Sequence, residues 1–345
     1  LNALTLTATG GLEHLILQDL PTPPLAAADS VLVRVHAAAL NRLDLFVADG
    51  LKGLTYRFPH IVGSDGAGTV DHVGPGVTRV RPGDAVLFNP GVACGGCEFC
   101  RDGEQPLCPS YQILGEHRPG TVAEYIVLPE RNLYPKPATM PWAQAAAFPL
   151  ATLTAWRMLV SRARLRPGET VLIWGIGGGV ALAALKIAKE AGARVIVTSS
   201  SDEKLAWART LGADVTLNHA RVEVAAEVRG LTERRGVDVV VETVGEKTWE
   251  QSLRCLGKLG RLVTCGATSG PMVVTDARRL FWSQWTILGS TMGNDAEFHA
   301  VARLAHAGRL WPEIDRRYPL AQAIDAYRRL ASGAQLGKVV IEVPS

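Results

Sequence analysis

Thr170–Trp174 (TVLIW) is an apolar run that ends directly on Gly175-Ile176-Gly177-Gly178-Gly179-Val180-Ala181, after which the chain continues as an Ala/Leu-rich, helix-forming stretch, Val180–Ala191. No other segment constrains the fold as tightly. A buried strand that stops on glycines and restarts as a helix is the tight turn of a βαβ unit. Glycine permits the turn and lets backbone N–H groups approach a pyrophosphate, which the helix N-terminus also favours. Gly175, Gly177, Gly178 and Gly179 are therefore candidate pyrophosphate ligands. Ala181 stands where a further glycine would let the helix pack closest on the sheet, and one methyl group is a small enlargement. The alternative is the same turn with no ligand.

The segments that follow keep the alternation. Arg194–Ser199, a helix over Glu203–Leu211, and the runs Val215–Leu217, Val237–Glu242, Arg261–Cys265 and Trp285–Leu288 predict a parallel sheet with helical crossovers. The second strand ends in Thr198-Ser199-Ser200-Ser201, and the first acid, Asp202, comes past the turn. An acid at the strand end would bind the ribose 2′-hydroxyl of NAD and repel a 2′-phosphate. Hydroxyls followed by Lys204 would accept that phosphate. The expected cofactor is NADP(H), with NAD(H) held through backbone contacts as the alternative.

The first 138 residues read differently. Short alternating runs, Ser30–His36, Gly68–Val73 and Ala85–Asn89, are separated by Gly/Pro turns, as in a partly closed β-barrel. Within this part, Cys94, Cys97, Cys100 and Cys108 form C-x2-C-x2-C-x7-C. Four thiolates with no open position suit one tetrahedral, structural Zn²⁺. Free or disulfide-paired thiols and an iron–sulfur cluster are the other readings. Cys255 and Cys265 lie in apolar contexts and read as small core residues. The stretch Pro129–Pro141 reads as a connection. Pro141–Arg162 reads as mostly helical. Beyond Gly289 the chain offers helices over Ala296–Ala307 and Ala321–Ala331 and a closing strand, Lys338–Val343.

Composition narrows the partners. Thirty-six basic against 33 acidic residues give +3, and no basic run reads as a nucleic-acid-binding arm. No run reaches the length of a membrane span, and Leu1–Gly10 shows no secretory pattern, so the expected compartment is the cytoplasm.

Together the four-Cys lobe, Gly63–Gly68 (GSDGAG), the VGPGV and RPGD turns, Leu150–Trp156, the glycine turn, Leu211–Asp214 (LGAD) and the closing GKVVIEV resemble the medium-chain dehydrogenase/reductase superfamily of zinc alcohol dehydrogenases and quinone oxidoreductases. The resemblance implies an α/β protein. Residues 1–149 and 289–345 would form a GroES-like β-barrel catalytic domain, and 150–288 a Rossmann domain with a doubly wound parallel sheet. It implies that Thr154 and Val244 lie near the nicotinamide, with Gly266 and Ala267 at the end of a later strand. Ser200 and Lys204 would contact the ribose phosphate, and Lys338 would reach the pyrophosphate. Pairing of Trp285–Leu288 along a sheet edge would give a homodimer, or a homotetramer.

The departures from the family pattern bear on the chemistry. Its catalytic zinc is held by a Cys, a His and a third Cys or acid. Here those segments read Asn41-Arg42-Leu43-Asp44, Gly63-Ser64-Asp65 and the neighbourhood of Leu150. Asn and Ser are poor zinc ligands and Leu is none. An unusual metal site joining His117 to Asp65 or Asp44 is an alternative. Asn41 is a candidate donor to the substrate oxygen or to the cofactor carboxamide. Asp65 is a candidate proton source, or else a structural carboxylate held by backbone groups or by Lys338 or Arg42. Asp44 reads as structural. The expected activity is NAD(P)H-dependent reduction of a conjugated carbonyl, quinone or aldehyde without catalytic zinc. An alcohol dehydrogenase with a rebuilt metal site and a non-catalytic NADPH-binding sensor are the alternatives.

Overall fold

Alternating β-branched residues make Ser30–Ala39 the longest strand of the first of two units. A computed structural model describes residues 1–344. The units are Leu1–Ala151 together with the chain from Gly293 onward, and Thr152–Met292. Their boundaries fall two and four residues beyond those expected at 149 and 288.

In the first unit, Ser30–Ala39 pairs antiparallel with Asp65–Val73 along one edge. On its other edge the first half pairs with Tyr125–Pro129 and the last residues with Lys338–Glu342. Ala85–Phe88 and Leu133–Pro135 extend the sheet on one side, and Ile314–Pro319 on the other. The C-terminal strand thus completes a sheet begun 300 residues earlier in sequence, which is why the tail belongs to this unit. The register places Asp65 opposite Ala39 and Val340 also opposite Ala39. Asp65 and Lys338 therefore flank the end of one strand, where the chain passes through Leu40 to Asn41. Val33, Val35, Phe88, Leu128, Tyr327 and Ile341 fill the core beneath.

Asn2–Leu6, Leu15–Asp19 and His60–Ile61 form a separate three-stranded sheet that the sequence pattern did not single out. The long helix expected over Pro141–Arg162 is broken. It runs as Trp142–Ala147 and Pro149–Trp156, then widens into a π-helical turn over Arg157–Arg162. Pro149 has no N–H to carry the first helix forward.

In the second unit six parallel strands lie in the order Val215–Asn218, Arg194–Ser199, Thr170–Ile173, Val237–Glu242, Leu256–Thr264, Thr286–Gly289. The chain order reverses between Thr170–Ile173 and Val237–Glu242, the switch point at which such sheets bind ligands. Val171, Leu172, Ile173, Val195, Ile196 and Val197 have no exposed surface, so these strands are covered on both faces. The strand expected from Trp285 begins one residue later. Trp285 is turned inward, and its Nε1 donates to Gly257 O at 2.8 Å. No helix among the described residues is long and apolar enough to cross a membrane.

Candidate functional site

In the second unit, Gly175 and Gly177 take φ values of +67° and +123°, which glycine adopts without a steric penalty. The turn is tied to the neighbouring strand: Gly175 N donates to Thr198 Oγ1 (3.3 Å) and Ile176 N to Thr198 O (2.8 Å). Gly178 is the N-cap of helix Gly179–Glu190, and no side chain caps that end. The first N–H groups of the helix are thus left for another acceptor. A Cβ built on Gly175 or Gly178 meets no protein atom within 4 Å. A bare helix end beside open space fits a pyrophosphate. Ala181 is buried against the sheet. The hydroxyl of Thr154 is buried with no hydrogen-bond partner, which also fits a missing ligand.

Val244 sits in the turn after Val237–Glu242. Its N–H donates to Glu242 Oε1 (2.7 Å), and its carbonyl accepts from Ser269 N and Oγ (2.7 and 2.8 Å). Gly266 and Ala267 follow strand Leu256–Thr264, half-buried and exposed respectively. Sequence reasoning missed Glu242. Its carboxylate is fully buried and accepts from Val244 N, Gly245 N, Thr248 Oγ1 and Ser252 Oγ. An acid ending the apolar run VDVVVE was the available signal.

The hydroxyls expected to face a 2′-phosphate divide. Thr198 serves the glycine turn, Ser199 Oγ accepts from Ser201 N (3.1 Å), and Ser201 Oγ caps the next helix by accepting from Lys204 N (3.3 Å). Ser200 is exposed.

In the first unit, Asn41, Asp65 and Lys338 form one buried cluster. Lys338 Nζ donates to Asn41 Oδ1 (2.5 Å) and to Asp65 Oδ2 (3.0 Å), and Asn41 Nδ2 donates to the same Asp65 oxygen (2.9 Å). Asp65 Oδ1 accepts from Leu150 N at 2.8 Å. Asp65 and Lys338 are 0% and 3% exposed. Lys338 is thus engaged inside its own unit, as an ammonium buried this deeply needs a carboxylate. Asp65 is bonded through both oxygens, as its structural reading expects, with Lys338 as the base.

Asp44 lies one helical turn on and accepts from Asn41 N at 2.6 Å through Oδ2; its Oδ1 is buried without a partner. Burial pushes its carboxyl up to about 7, and the nearby charges of Asp65 and Glu116 add to the rise. Among the described residues, His117 belongs to no group of three or more possible ligands with Asp65 or Asp44. His117 Nδ1 instead accepts from Ile113 N (3.2 Å).

The sulfurs of Cys94, Cys97, Cys100 and Cys108 lie within 4.8 Å of one another. Zinc–sulfur bonds of 2.3 Å in a tetrahedron require about 3.8 Å between sulfurs. Among the described residues this is the one group of three or more His, Cys, Asp or Glu side chains able to share an ion. N–H groups of Gly96 and Cys97 donate to Cys94 Sγ and hold its thiol down to about 6, whereas burial pushes Cys100 up to about 12. The donor set fits zinc. Cys255 and Cys265 stand apart, both pushed up to about 12 by burial.

Comparison with known proteins agrees with this two-part architecture. The alcohol dehydrogenase GroES-like domain matches residues 27–138, and the zinc-binding dehydrogenase family matches 179–307. A zinc-type alcohol dehydrogenase-like protein of Schizosaccharomyces pombe is 34% identical, covering 96% of each chain. A quinone oxidoreductase of Pseudomonas aeruginosa is 34% identical, covering 97% of each. The crystal structure of an NAD-dependent alcohol dehydrogenase superposes with a TM-score of 0.96 at 44% identity over the full length of both chains.

The chain belongs to the medium-chain dehydrogenase/reductase superfamily. It is an oxidoreductase of the zinc-type alcohol dehydrogenase-like kind, with a GroES-like unit and a Rossmann unit. In this member of the superfamily, Asn41 and Ser64 stand at two of the positions where the family pattern has metal ligands, and the nearby Asp65 is bonded to the Lys338 ammonium.

Two outcomes follow. Between pH 3.8 and about 7 the native state holds a proton on Asp44 that the unfolded chain releases. Its contribution to stability therefore falls as pH rises through that window, by at most about 4 kcal/mol. Asp44→Asn keeps an acceptor for Asn41 N and removes the titration. Urea unfolding should show the variant gaining on the parent from pH 4 to pH 8; parallel curves would mean that Asp44 is ionised throughout. For the cysteine lobe, one zinc per chain should be released by thiol-modifying reagent or by acidification, since thiolates must lose their protons to bind. Colorimetric metal release measures this, and Cys108→Ser should abolish it.

Proposed function

We propose that this oxidoreductase reduces conjugated carbonyls, quinones or aldehydes with NADPH, by hydride transfer that uses no catalytic zinc. The observation that carries the reading is the buried ammonium of Lys338, bonded to Asn41 and Asp65. A divalent ion gripped by Asp65 would have to displace a positive charge 3.0 Å away. Without a Lewis acid, deprotonating an alcohol near neutral pH is difficult, whereas an enone or quinone is already electrophilic.

Bound NADPH supplies the hydride. The glycine turn and the uncapped helix end hold its pyrophosphate, and Thr154 Oγ1, Val244, Gly266 and Ala267 line the nicotinamide side. Ser200 and Lys204 take the 2′-phosphate. Asn41 uses one amide hydrogen on Asp65, and the other is the donor we assign to the substrate oxygen. Lys338, bonded to the carbonyl end of the same amide, polarises it toward the negative charge that develops on that oxygen. The final proton comes from solvent.

After dialysis against a chelator, the protein should carry one zinc per chain and still oxidise NADPH with enals or quinones. Elemental analysis with an absorbance assay tests this; activity that rises and falls with a second zinc would instead establish the rebuilt alcohol dehydrogenase.

We also infer a homodimer built on the Rossmann sheet edge, in a cytoplasmic enzyme. Strand Thr286–Gly289 has one neighbour, and in the segment that precedes it Met272, Val274, Phe281 and Trp282 are 67–88% exposed. Covering such apolar side chains and pairing the edge is favourable. Sedimentation should give twice the chain mass of 36.9 kDa, and Phe281→Glu with Trp282→Glu should give the monomer.

A further inference from the structure

The sheet's second strand, Arg194–Ser199, and its third, Val215–Asn218, end side by side, about 20 residues past the glycine turn, where the adenosine ribose of a bound dinucleotide lies. Asp202, the first acid after the second strand, is there with both oxygens occupied. Arg221 Nη2 meets Oδ2 at 2.7 Å, and Asn218 Nδ2 donates to Oδ1 at 2.7 Å. Asn218 also reaches Ser200 O at 3.4 Å, which ties the ribose-side turn to the same pair. A carboxylate in this region would ordinarily do two things: accept from the ribose hydroxyls and repel a 2′-phosphate. Here that carboxylate faces a guanidinium, and both its oxygens are engaged by residues from the adjacent strand end.

We propose that Arg221 sets cofactor preference by masking Asp202. Asn218 holds the carboxylate in place, and Arg221 neutralises it, so that the turn accepts a 2′-phosphate although it carries an acid. The residues after the third strand, not only the end of the second, thus decide between NADP(H) and NAD(H). This rests on the NADPH reading above. Both side chains are more than half exposed, at 70% for Arg221 and 55% for Asp202. Such a pair adds little to folding, so its loss leaves the protein intact, and its effect is screened by salt.

The test is calorimetric titration of the full-length protein with 2′,5′-ADP and with ADP at low ionic strength, which reads binding apart from turnover. The parent should prefer 2′,5′-ADP. Arg221→Ala should cut that preference about tenfold or more, and Asp202→Asn should preserve or raise it. In the Asp202→Asn background, Arg221→Ala should have little further effect, because residue 202 then carries no charge to be unmasked. A loss from Arg221→Ala that persists undiminished in that background makes Arg221 a direct phosphate ligand and overturns masking. An unchanged ratio in Arg221→Ala also overturns it, while the NADPH reading stands. If the parent binds neither nucleotide, or prefers ADP, the NADPH reading fails and takes this inference with it.

Discussion

A buried ammonium organises the GroES-like unit. Lys338 arrives on the last strand, Asp65 opens another, and Asn41 leaves a third, so their contact exists only when three segments from opposite ends of the chain are in register. Truncating one partner of such a pair leaves an uncompensated charge in a dry interior, at a cost of about 3–5 kcal/mol. The pair therefore acts less as glue than as a check on register. A one-residue slip of strand Lys338–Glu342 would turn Lys338 to the opposite face and strand Asp65 without its cation. The Asp44 carboxyl belongs to the same polar island. With Lys338 committed to Asp65 and Asn41, Asp44 is left with one backbone donor, and it stays protonated to unusually high pH.

What was legible in the sequence was local. The glycine turn and the four cysteines each declare themselves within fifteen residues, because their geometry is set by short-range chain reversal. The parallel strands were legible too, since strands covered on both faces are apolar throughout. The Asp65–Lys338 pair was visible only as one option among several. No spacing rule links positions 273 residues apart, and a Lys after Gly337 reads equally well as a solvated strand edge. Glu242 was missed for a related reason: an acid at a strand end looks like a polar exit to solvent until four donors are seen closing over it. Trp285 misled in the opposite sense. Its bulk and apolarity suited a strand, but its indole N–H needed the carbonyl of Gly257, and the strand starts after it.

Two ion pairs, one in each unit, handle charge in opposite ways. In the barrel unit a single carboxylate–ammonium pair is sealed from water. Its strength comes from the low dielectric, and its position does not vary with salt. At the end of the Rossmann strands, Asp202 and Arg221 lie in water, where their mutual attraction is small and a ligand phosphate competes on similar terms. A sealed pair suits a fixed polarising charge. An open pair suits a selectivity element, whose whole effect is to differ by a modest factor between two cofactors that share every other contact.

That contrast bears on the substrate. A zinc ion accepts an electron pair directly from a substrate oxygen, whereas in the proposed arrangement Lys338 would act through the amide of Asn41. Hydrogen-bond polarisation of this kind stabilises an oxyanion by a few kcal/mol, the worth of one well-placed donor, but it does not generate an alkoxide from an alcohol. The remainder of the barrier must then be low in the substrate itself. Conjugated carbonyls and quinones meet that condition because the incoming hydride is delocalised onto oxygen as it arrives. On the proposed reading, oxidising an alcohol would instead require its proton to pass to a cluster whose carboxylate, Asp65, is already paired with an ammonium, so the cluster offers no free base to lower that barrier.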